Sequence, residues 1–315
     1  GNVDAEPLFL SGHMDTVGPG NNIKVRFEGG IFKSDGTTIL GADDKSALAI
    51  ILEVMDVILE KKLKYPPIEI VFTICEEIGL LGAKHLDFSL MDSKFGYILD
   101  STDTDGIVTK APGANKIRIK VFGKAAHAGA EPENGINAIA VASKAVSGLK
   151  LGRIDEETTC NLGTIKGGVA TNIVPEFVEI NGEARSHDAK KLKMVTDGIV
   201  NSFYTAAESF KDSSGLPRIE TFVENDFTRT DISEDHKTIK LARKAAENLG
   251  IALESKTIGG GADANVFFNK GIVAGVLGTG MTDVHTLNES IAIKDMEDAA
   301  RLVLEILKVH AKGEI

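Results

Sequence analysis

Cysteine and long apolar runs are both scarce in this sequence. Only two cysteines occur among the 315 residues, which excludes a disulfide framework and a zinc site built from cysteine thiolates. The longest uninterrupted apolar run, residues 47–52, is far shorter than the about 20 residues that a membrane-spanning helix needs. Asp4 and Glu6 stand where a signal peptide would have its basic and apolar segments. These features predict a cytoplasmic protein without a membrane segment.

Basic residues are too few to balance the acidic ones. The 35 Lys and Arg residues against 46 Asp and Glu residues give a net charge of −11. This charge argues against nucleic acid or an anionic membrane surface as a partner, and it is also typical of a surface that serves solubility.

The length suggests about two domains, each with enough chain to bury a core.

Strands alternate with helices in the first third of the chain. Residues 7–11 and 68–74 are largely apolar and predict buried strands. We expect Cys75 to continue the second strand. Residues 46–62 carry apolar side chains at three- and four-residue spacing, which predicts a helix. Another apolar stretch, residues 95–99, ends at Asp100. The alternation is typical of an α/β layer, with a largely parallel mixed sheet flanked by helices.

A different pattern begins near residue 112. Two segments alternate between polar and apolar residues, as half-exposed strands do, and each is followed by a predicted helix. Helical patterns of the first kind return at residues 232–249 and 296–309. We therefore predict a discontinuous domain, residues 1–114 and 226–315, into which an α+β domain of residues 115–225 is inserted.

Imidazole and carboxylate groups cluster at predicted strand ends and at one helix start. Each is a weak signal alone, since an Asp pair before a helix is usually a cap and a Glu pair after a strand is often a solvated turn. In such sheets, however, ligands bind beyond the carboxyl ends of the strands. Together these side chains are enough to hold two zinc, manganese or cobalt ions, with one carboxylate between them. The residues are His13, Asp43, Asp44, Glu76, Glu77, Asp100 and His285.

Five of these motifs occur in an order that resembles a known family. Residues 11–17 (Ser-Gly-His-Met-Asp-Thr-Val), residues 41–45 (Gly-Ala-Asp-Asp-Lys), the Glu76–Glu77 pair, Asp100 and the late His285 resemble the dizinc M20 metallopeptidases. The Gly-Ala-Asp-Asp-Lys variant is similar to the peptidase T, or tripeptide aminopeptidase, branch.

The resemblance implies a role for each residue of these motifs. His13 and Asp100 would hold one metal ion, Glu77 and His285 the other, and Asp43 would bridge them. Glu76 would be the general base, and Asp15 would orient His13. The two ions are expected to be zinc, with manganese or cobalt as alternatives.

The inserted domain resembles the lid and dimerisation domain of the same family. The resemblance implies that His127 stabilises the tetrahedral oxyanion, and that Asn172 and Arg185 bind the substrate backbone and its C-terminal carboxylate. The alternatives are a solvated loop histidine for His127 and a surface salt bridge for Arg185. The resemblance also implies substrate contacts at the glycine-rich segment around Gly260, and a plain turn is the alternative.

The implied reaction is hydrolysis of a short peptide at its N-terminal residue. The same metal ligands would also serve a carboxypeptidase or an N-acyl amino acid deacylase of this family. Family members have a longer segment before the first histidine motif, which here begins at residue 13, so we expect an N-terminal segment to be missing. A truncated, inactive metal-binding fragment is therefore a second alternative. A homodimer formed through the lid is the expected assembly.

Overall fold

The computed structural model describes residues 1–213 and 215–315 of the chain and shows two compact units. The discontinuous unit comprises Gly1–Ala111 and Thr230–Ile315. The inserted unit comprises Pro112–Arg229. Each unit has its own cluster of buried apolar side chains.

The helices and strands of the described residues are numbered in chain order. The α-helices are α1 (Ala42–Glu60), α2 (Leu81–Lys84), α3 (Ala138–Ser147), α4 (Ala189–Glu208), α5 (Lys237–Leu249), α6 (Asp263–Asn269) and α7 (Ile293–Lys312). The strands of the discontinuous unit are β1 (Leu8–His13), β2 (Arg26–Glu28), β3 (Ile31–Lys33), β4 (Ile68–Thr73), β5 (Phe95–Ser101), β6 (Gly106–Ala111), β12 (Thr230–Asp231), β13 (Glu254–Thr257), β14 (Val273–Gly278), β15 (Met281–Thr282) and β16 (Ser290–Ala292). Those of the inserted unit are β7 (Gly113–Phe122), β8 (Gly152–Asp155), β9 (Thr158–Gly167), β10 (Phe177–Ser186) and β11 (Arg218–Phe227).

A seven-stranded sheet forms the centre of the discontinuous unit. Its order is β12-β6-β14-β5-β1-β4, and β13 also pairs with β6. The neighbours β14, β5, β1 and β4 are parallel, whereas β6 is antiparallel to β14 and to β12. This confirms the predicted α/β class with a largely parallel mixed sheet.

Three helices bury their apolar faces in the core of this unit. Every residue of β1 is buried, as expected for a central parallel strand covered on both faces. The apolar side chains of α1, α5 and α7 belong to the same buried cluster as Leu8 and Leu10 of β1. On α1, residues such as Ile50, Ile51 and Val54 recur at the spacing that predicted the helix.

Three local predictions in this unit are wrong. The strand predicted as buried at residues 68–74 is β4 at the edge of the sheet, and its side chains are mostly half-buried, with Ile70 41% exposed. Residues 232–236 are not helical, because Thr230–Asp231 pairs with β6 and the Ile232 amide donates to the Thr109 carbonyl at 2.9 Å. Helix α5 begins at residue 237, where the His236 side chain accepts from the Thr238 amide. Cys75 lies after β4 rather than within it, with a left-handed φ of 57°.

A small four-stranded antiparallel sheet also belongs to the discontinuous unit, in the order β15-β16-β3-β2. Its strands have two or three residues each, too few for an alternating pattern to predict them. The loop between β15 and β16 carries His285. This sheet therefore fixes both ends of the segment that presents the histidine.

The inserted unit is a five-stranded antiparallel sheet with two helices on one face. The order is β11-β7-β10-β9-β8. Ile117, Ile119 and Val121 of β7 are buried with Phe203 of α4, while the residues between them are exposed or half-buried. This is the alternation of a sheet covered on one face only. In the described part of the chain, every helix is too short or too polar to span a bilayer.

Candidate active site

Three neighbouring parallel strands end at one edge of the seven-stranded sheet, and each brings ionisable side chains there. His13 is the last residue of β1, and its register partner on β4 is Thr73. Glu76 and Glu77 follow β4 in the next turn, and Asp100 is the penultimate residue of β5. Because the carboxyl ends of parallel strands share an edge, distant parts of the sequence meet at this point.

Asp43, in the first turn of α1, lies between two histidines. Its Oδ1 is 3.0 Å from Nε2 of His13, and its Oδ2 is 3.1 Å from Nε2 of His285. The same nitrogen of His285 is 3.1 Å from Glu77 Oε1. One carboxylate thus faces two imidazoles, each with a different oxygen, which is the arrangement that a bridging ligand of two ions requires.

Asp44 and Asp100 lie on the His13 side of this cluster. Asp100 Oδ1 is 4.0 Å from His13 Nε2. Asp44 Oδ2 accepts from the backbone amide of His13 at 3.0 Å, and Asp44 Oδ1 has no hydrogen-bond partner within residues 1–213 and 215–315. Two sets of possible ligand atoms lie within 4.8 Å of one another, one from His13, Asp43 and Glu77 and one from His13, Asp44 and Asp100.

Burial and crowding change the protonation of these groups. Burial raises the pKa of the Asp44 and Asp100 carboxyls well above the usual value. Repulsion from Asp100 adds to the shift of Asp44, and repulsion from Asp43 adds to both shifts, while the charge of His13 opposes them. Burial also lowers the pKa of His13, but the hydrogen bond with Asp43 and the surrounding carboxylates outweigh it and raise that pKa to about 10. Without a metal ion, the cluster therefore holds protons that a bound cation would displace.

Glu76 is a half-buried carboxyl at this edge whose pKa is also raised. Burial raises its pKa to about 8, and the charges of Asp263, Glu77 and Asp43 act in the same direction. The positive charge of His13 opposes this shift. A carboxyl group with such a pKa can take up and release a proton at neutral pH, as a general base must.

Asp15 holds the turn that carries the two glutamates. Its Oδ1 accepts from the Glu76 amide at 3.0 Å, and its Oδ2 accepts from the Glu77 amide at 3.3 Å. The predicted contact with His13 is also present, since His13 Nδ1 lies 3.0 Å from the carbonyl oxygen of Asp15 and 3.4 Å from its Oδ1. A proton on Nδ1 would leave Nε2 free to bind a metal ion.

Glu289 ends the last of the family-like motifs, but no role was predicted for it from the sequence, and it is buried beside the site. Its Oε1 accepts from the Asp43 amide at 2.9 Å, and its Oε2 accepts from the Leu40 and Gly41 amides at 2.8 and 2.7 Å. Its only signal in the sequence is its place four residues after His285. No local pattern shows that such a residue folds back onto the start of α1.

Asp263 is a second buried carboxyl that the sequence did not single out. It is 2% exposed, its Oδ2 accepts from the Thr73 hydroxyl at 2.5 Å, and its Oδ1 has no hydrogen-bond partner in the part of the chain described. Burial raises its pKa. The bond ties the start of α6, and the glycine-rich segment before it, to the end of β4.

The glycines before α6 are not required by the local backbone. Neither Gly259 nor Gly260 has a left-handed φ. A Cβ atom added at either position would meet no atom within 4 Å among the described residues, apart from the two adjacent in the chain. Neither a special turn nor close packing therefore explains these glycines, and both leave open space beside α6.

The remaining predicted contact residues lie in the inserted unit. His127 Nδ1 accepts from the amides of Gly129 and Ala130 at 3.2 and 3.1 Å. The neighbouring Ala128 amide donates to the carbonyl oxygen of Asn172 at 2.9 Å, which places the two motifs side by side. Arg185 of β10 forms an ion pair with Glu183 at 3.0 Å, so the salt bridge weighed as its alternative is present.

Comparison with known proteins identifies the family. The sequence model that describes peptidase family M20/M25/M40 matches residues 9–309 of this chain. The YqjE protein of Bacillus subtilis is 42% identical over 313 residues, which cover 99% of this chain and 83% of YqjE.

Solved structures give the same result. A tripeptidase from Staphylococcus aureus is 41% identical with a TM-score of 0.90, and the match covers 98% of this chain and 82% of that one. The aminopeptidase PepT from Bacillus cereus is 38% identical with a TM-score of 0.87, at the same coverage of both chains. The chain therefore belongs to peptidase family M20/M25/M40 and is a hydrolase of peptide bonds.

Proposed function

We propose that this protein is a metal-dependent exopeptidase that removes the N-terminal residue of short peptides. The observation that carries the proposal is the position of Asp43, whose two oxygens face His13 and His285 at 3.0 and 3.1 Å. The similarity to a tripeptidase and to an aminopeptidase supports the substrate class.

The donor set fits two divalent ions. We assign His13 and Asp100 to one ion, Glu77 and His285 to the other, and Asp43 to both. Nitrogen and carboxylate donors without thiolate suit zinc, which we favour, and also manganese and cobalt. Asp43 fits the bridge better than Asp44, because Asp44 Oδ2 is occupied by the backbone amide of His13.

The bound ions would lower the pKa of a water molecule and polarise the scissile carbonyl. The chain supplies the proton transfers around this chemistry. Glu76 would accept the proton of the attacking water and pass it to the leaving amine, and its place in the turn after β4, next to the assigned ligand Glu77, supports this role. Asp15 fixes the backbone of Glu76 and keeps its carboxyl in place.

Hydrolysis of one tripeptide in three forms tests the proposed specificity. The forms are free at both ends, N-acetylated and C-amidated, each with excess zinc, manganese or cobalt. We expect cleavage only where the α-amino group is free, and a Glu76→Gln protein purified in parallel controls for a contaminating peptidase. Cleavage of the acetylated form would favour the deacylase or carboxypeptidase alternative. A metal-loaded protein that cleaves no form would favour the inactive fragment.

Gly260 offers a separate test of substrate contact. We expect Gly260→Ala to fold as the wild type does, since the new methyl group meets no atom of the chain within 4 Å. If substrate approaches this backbone, KM should rise by about tenfold or more. Gly198→Ala on α4 is the matched control, because that position is equally open and has no left-handed φ. Equal KM values for both variants would favour a plain turn.

The roles of His127, Asn172 and Arg185 in substrate binding stay predictions from the family resemblance. The same holds for residues 115–225 as a lid and dimerisation domain, for zinc as the natural metal and for the cytoplasmic location.

A further inference from the structure

Helix α1 begins without a cap from its own neighbourhood. Its N-cap residue is Gly41, in a left-handed conformation with φ 77°, and no local side chain accepts a hydrogen bond from the first turn. The first amides of a helix have no partner within the helix and need an acceptor from elsewhere. Glu289, which is 246 to 249 residues away along the chain, supplies it.

Both oxygens of Glu289 are used. Oε1 accepts from the Asp43 amide, and Oε2 accepts from the amides of Leu40 and Gly41. The side chain is buried, with Glu289 only 1% exposed. A negative group at the N-terminus of a helix is favourable, and hydrogen bonds from amides to a carboxylate are stronger than those to a neutral acceptor.

Glu289 also belongs to the segment that carries His285. It lies just before β16, and the loop between β15 and β16 presents His285 to Asp43 Oδ2 at 3.1 Å. The carboxylate therefore ties the backbone of Asp43 to the loop of one of the two histidines that Asp43 faces.

We propose that Glu289 is a positioning residue that holds Asp43 in the orientation needed to bridge two metal ions. This inference rests on the proposed function, because it assigns Asp43 to both ions. Glu289 would not touch an ion or the substrate. Its loss should leave every metal-ligand side chain present. The start of α1 would become free to move, so that the Asp43 carboxylate no longer spans His13 and His285.

Glu289→Gln tests this, because the substitution keeps the shape and replaces one acceptor oxygen by an NH₂ group that faces amide donors. Glu69→Gln is the matched control. Glu69 also accepts backbone amides with both oxygens, from Asp92 at 2.8 Å and Ser93 at 2.9 Å, but at a loop outside the site. Both variants should lose stability, so stability alone does not decide the question.

Three measurements decide it. In Glu289→Gln we expect faster amide hydrogen exchange at residues 40–43 of the metal-free protein, zinc affinity lower by about 10–100-fold in chelator competition, and a lower kcat with a nearly unchanged KM. Glu69→Gln should keep wild-type values for all three. Wild-type zinc affinity in a folded Glu289→Gln protein would overturn the inference and leave the proposed function intact. A wild-type protein that binds no zinc would instead contradict the proposed function.

Glu289→Asp covers the case in which the glutamine variant does not fold. The aspartate keeps both oxygens on a side chain that is one methylene shorter. We expect a folded protein with zinc affinity between those of the wild type and the glutamine variant. A second outcome is that Glu289→Asp folds and binds zinc as the wild type does while the amides of residues 40–43 exchange hydrogen rapidly. In that case the hydrogen bonds from Glu289 are not needed to position Asp43, and the inference fails.

Discussion

Replacing Glu76 by glutamine is expected to lower kcat by about 10²-fold to 10⁴-fold while both metal ions stay bound. The amide is close in shape to the carboxylate but cannot accept the proton of the attacking water. The assigned ligands and the bond between the Glu76 amide and Asp15 are unchanged. The measurement is kcat on a tripeptide, together with the metal content of the same sample.

Glu53→Gln is the control for this substitution, because Glu53 is an exposed glutamate on α1. It should leave kcat and metal content unchanged. Wild-type activity in Glu76→Gln would remove Glu76 from the mechanism.

The stability of the metal-free protein gives a second readout for Glu76. Burial raises the pKa of this carboxyl from the ordinary value of 4.5 to about 8, so the folded state binds the proton more tightly than the unfolded state does. The stability that this group contributes is therefore complete below its unfolded pKa and is lost as the pH rises towards 8. The urea midpoint of the wild type should fall more between pH 5 and pH 8 than that of Glu76→Gln. Equal falls would show that burial does not shift this group.

Replacing Asp43 by asparagine should have the largest effect on metal binding. The amide keeps one oxygen and turns an NH₂ group towards one of the two histidines, which Asp43 faces at 3.0 and 3.1 Å. We expect fewer than two ions per chain after equilibration with zinc and gel filtration, with an affinity loss beyond the about 10–100-fold typical of a residue that only supports a ligand. Activity should fall with the metal content.

Asp56→Asn on the exposed face of α1 is the matched control and should retain the wild-type metal content. Thermal unfolding provides an independent check, because ions that bind only the folded state raise the midpoint by an amount that grows with the logarithm of their affinity. Zinc should therefore raise the midpoint of Asp43→Asn less than that of the wild type. Two tightly bound ions in Asp43→Asn would reject the bridging assignment.

Periodicity in the sequence was enough to predict the main elements of the fold. The apolar spacing of α1 marks its buried face, and the apolar runs of β1 and β5 mark strands that are largely buried, whereas β4 at the sheet edge is mostly half-buried. The prediction of a helix from Ile232 was wrong because the Ile232 amide donates to the Thr109 carbonyl of β6 and a turn at residues 234–235 precedes α5. Tertiary hydrogen bonds outweighed a local pattern there.

The chemistry of the site was visible in the sequence for a different reason. His13, Glu77 and Asp100 stand at or just after the ends of parallel strands, which meet at one edge of a sheet, and Asp43 stands at the start of a helix. His285 lies in the loop between β15 and β16 of the small antiparallel sheet. Residue types and order were therefore enough to predict which side chains belong together. That Asp43 faces one histidine with each oxygen is a matter of ångströms, and only the folded chain shows it.

The supporting carboxylates were beyond the reach of the sequence. Asp263 and Glu289 bind Thr73 and the start of α1 across about 190 and 250 residues of chain, as the separations of 190 and 246 to 249 show. Local spacing carries no information on contacts at such distances. The sequence by itself determined the main elements of the α/β layer, the family resemblance and the identity of the candidate ligands. The tertiary structure alone decided what holds those ligands, because that depends on which backbone amides the fold leaves without a partner.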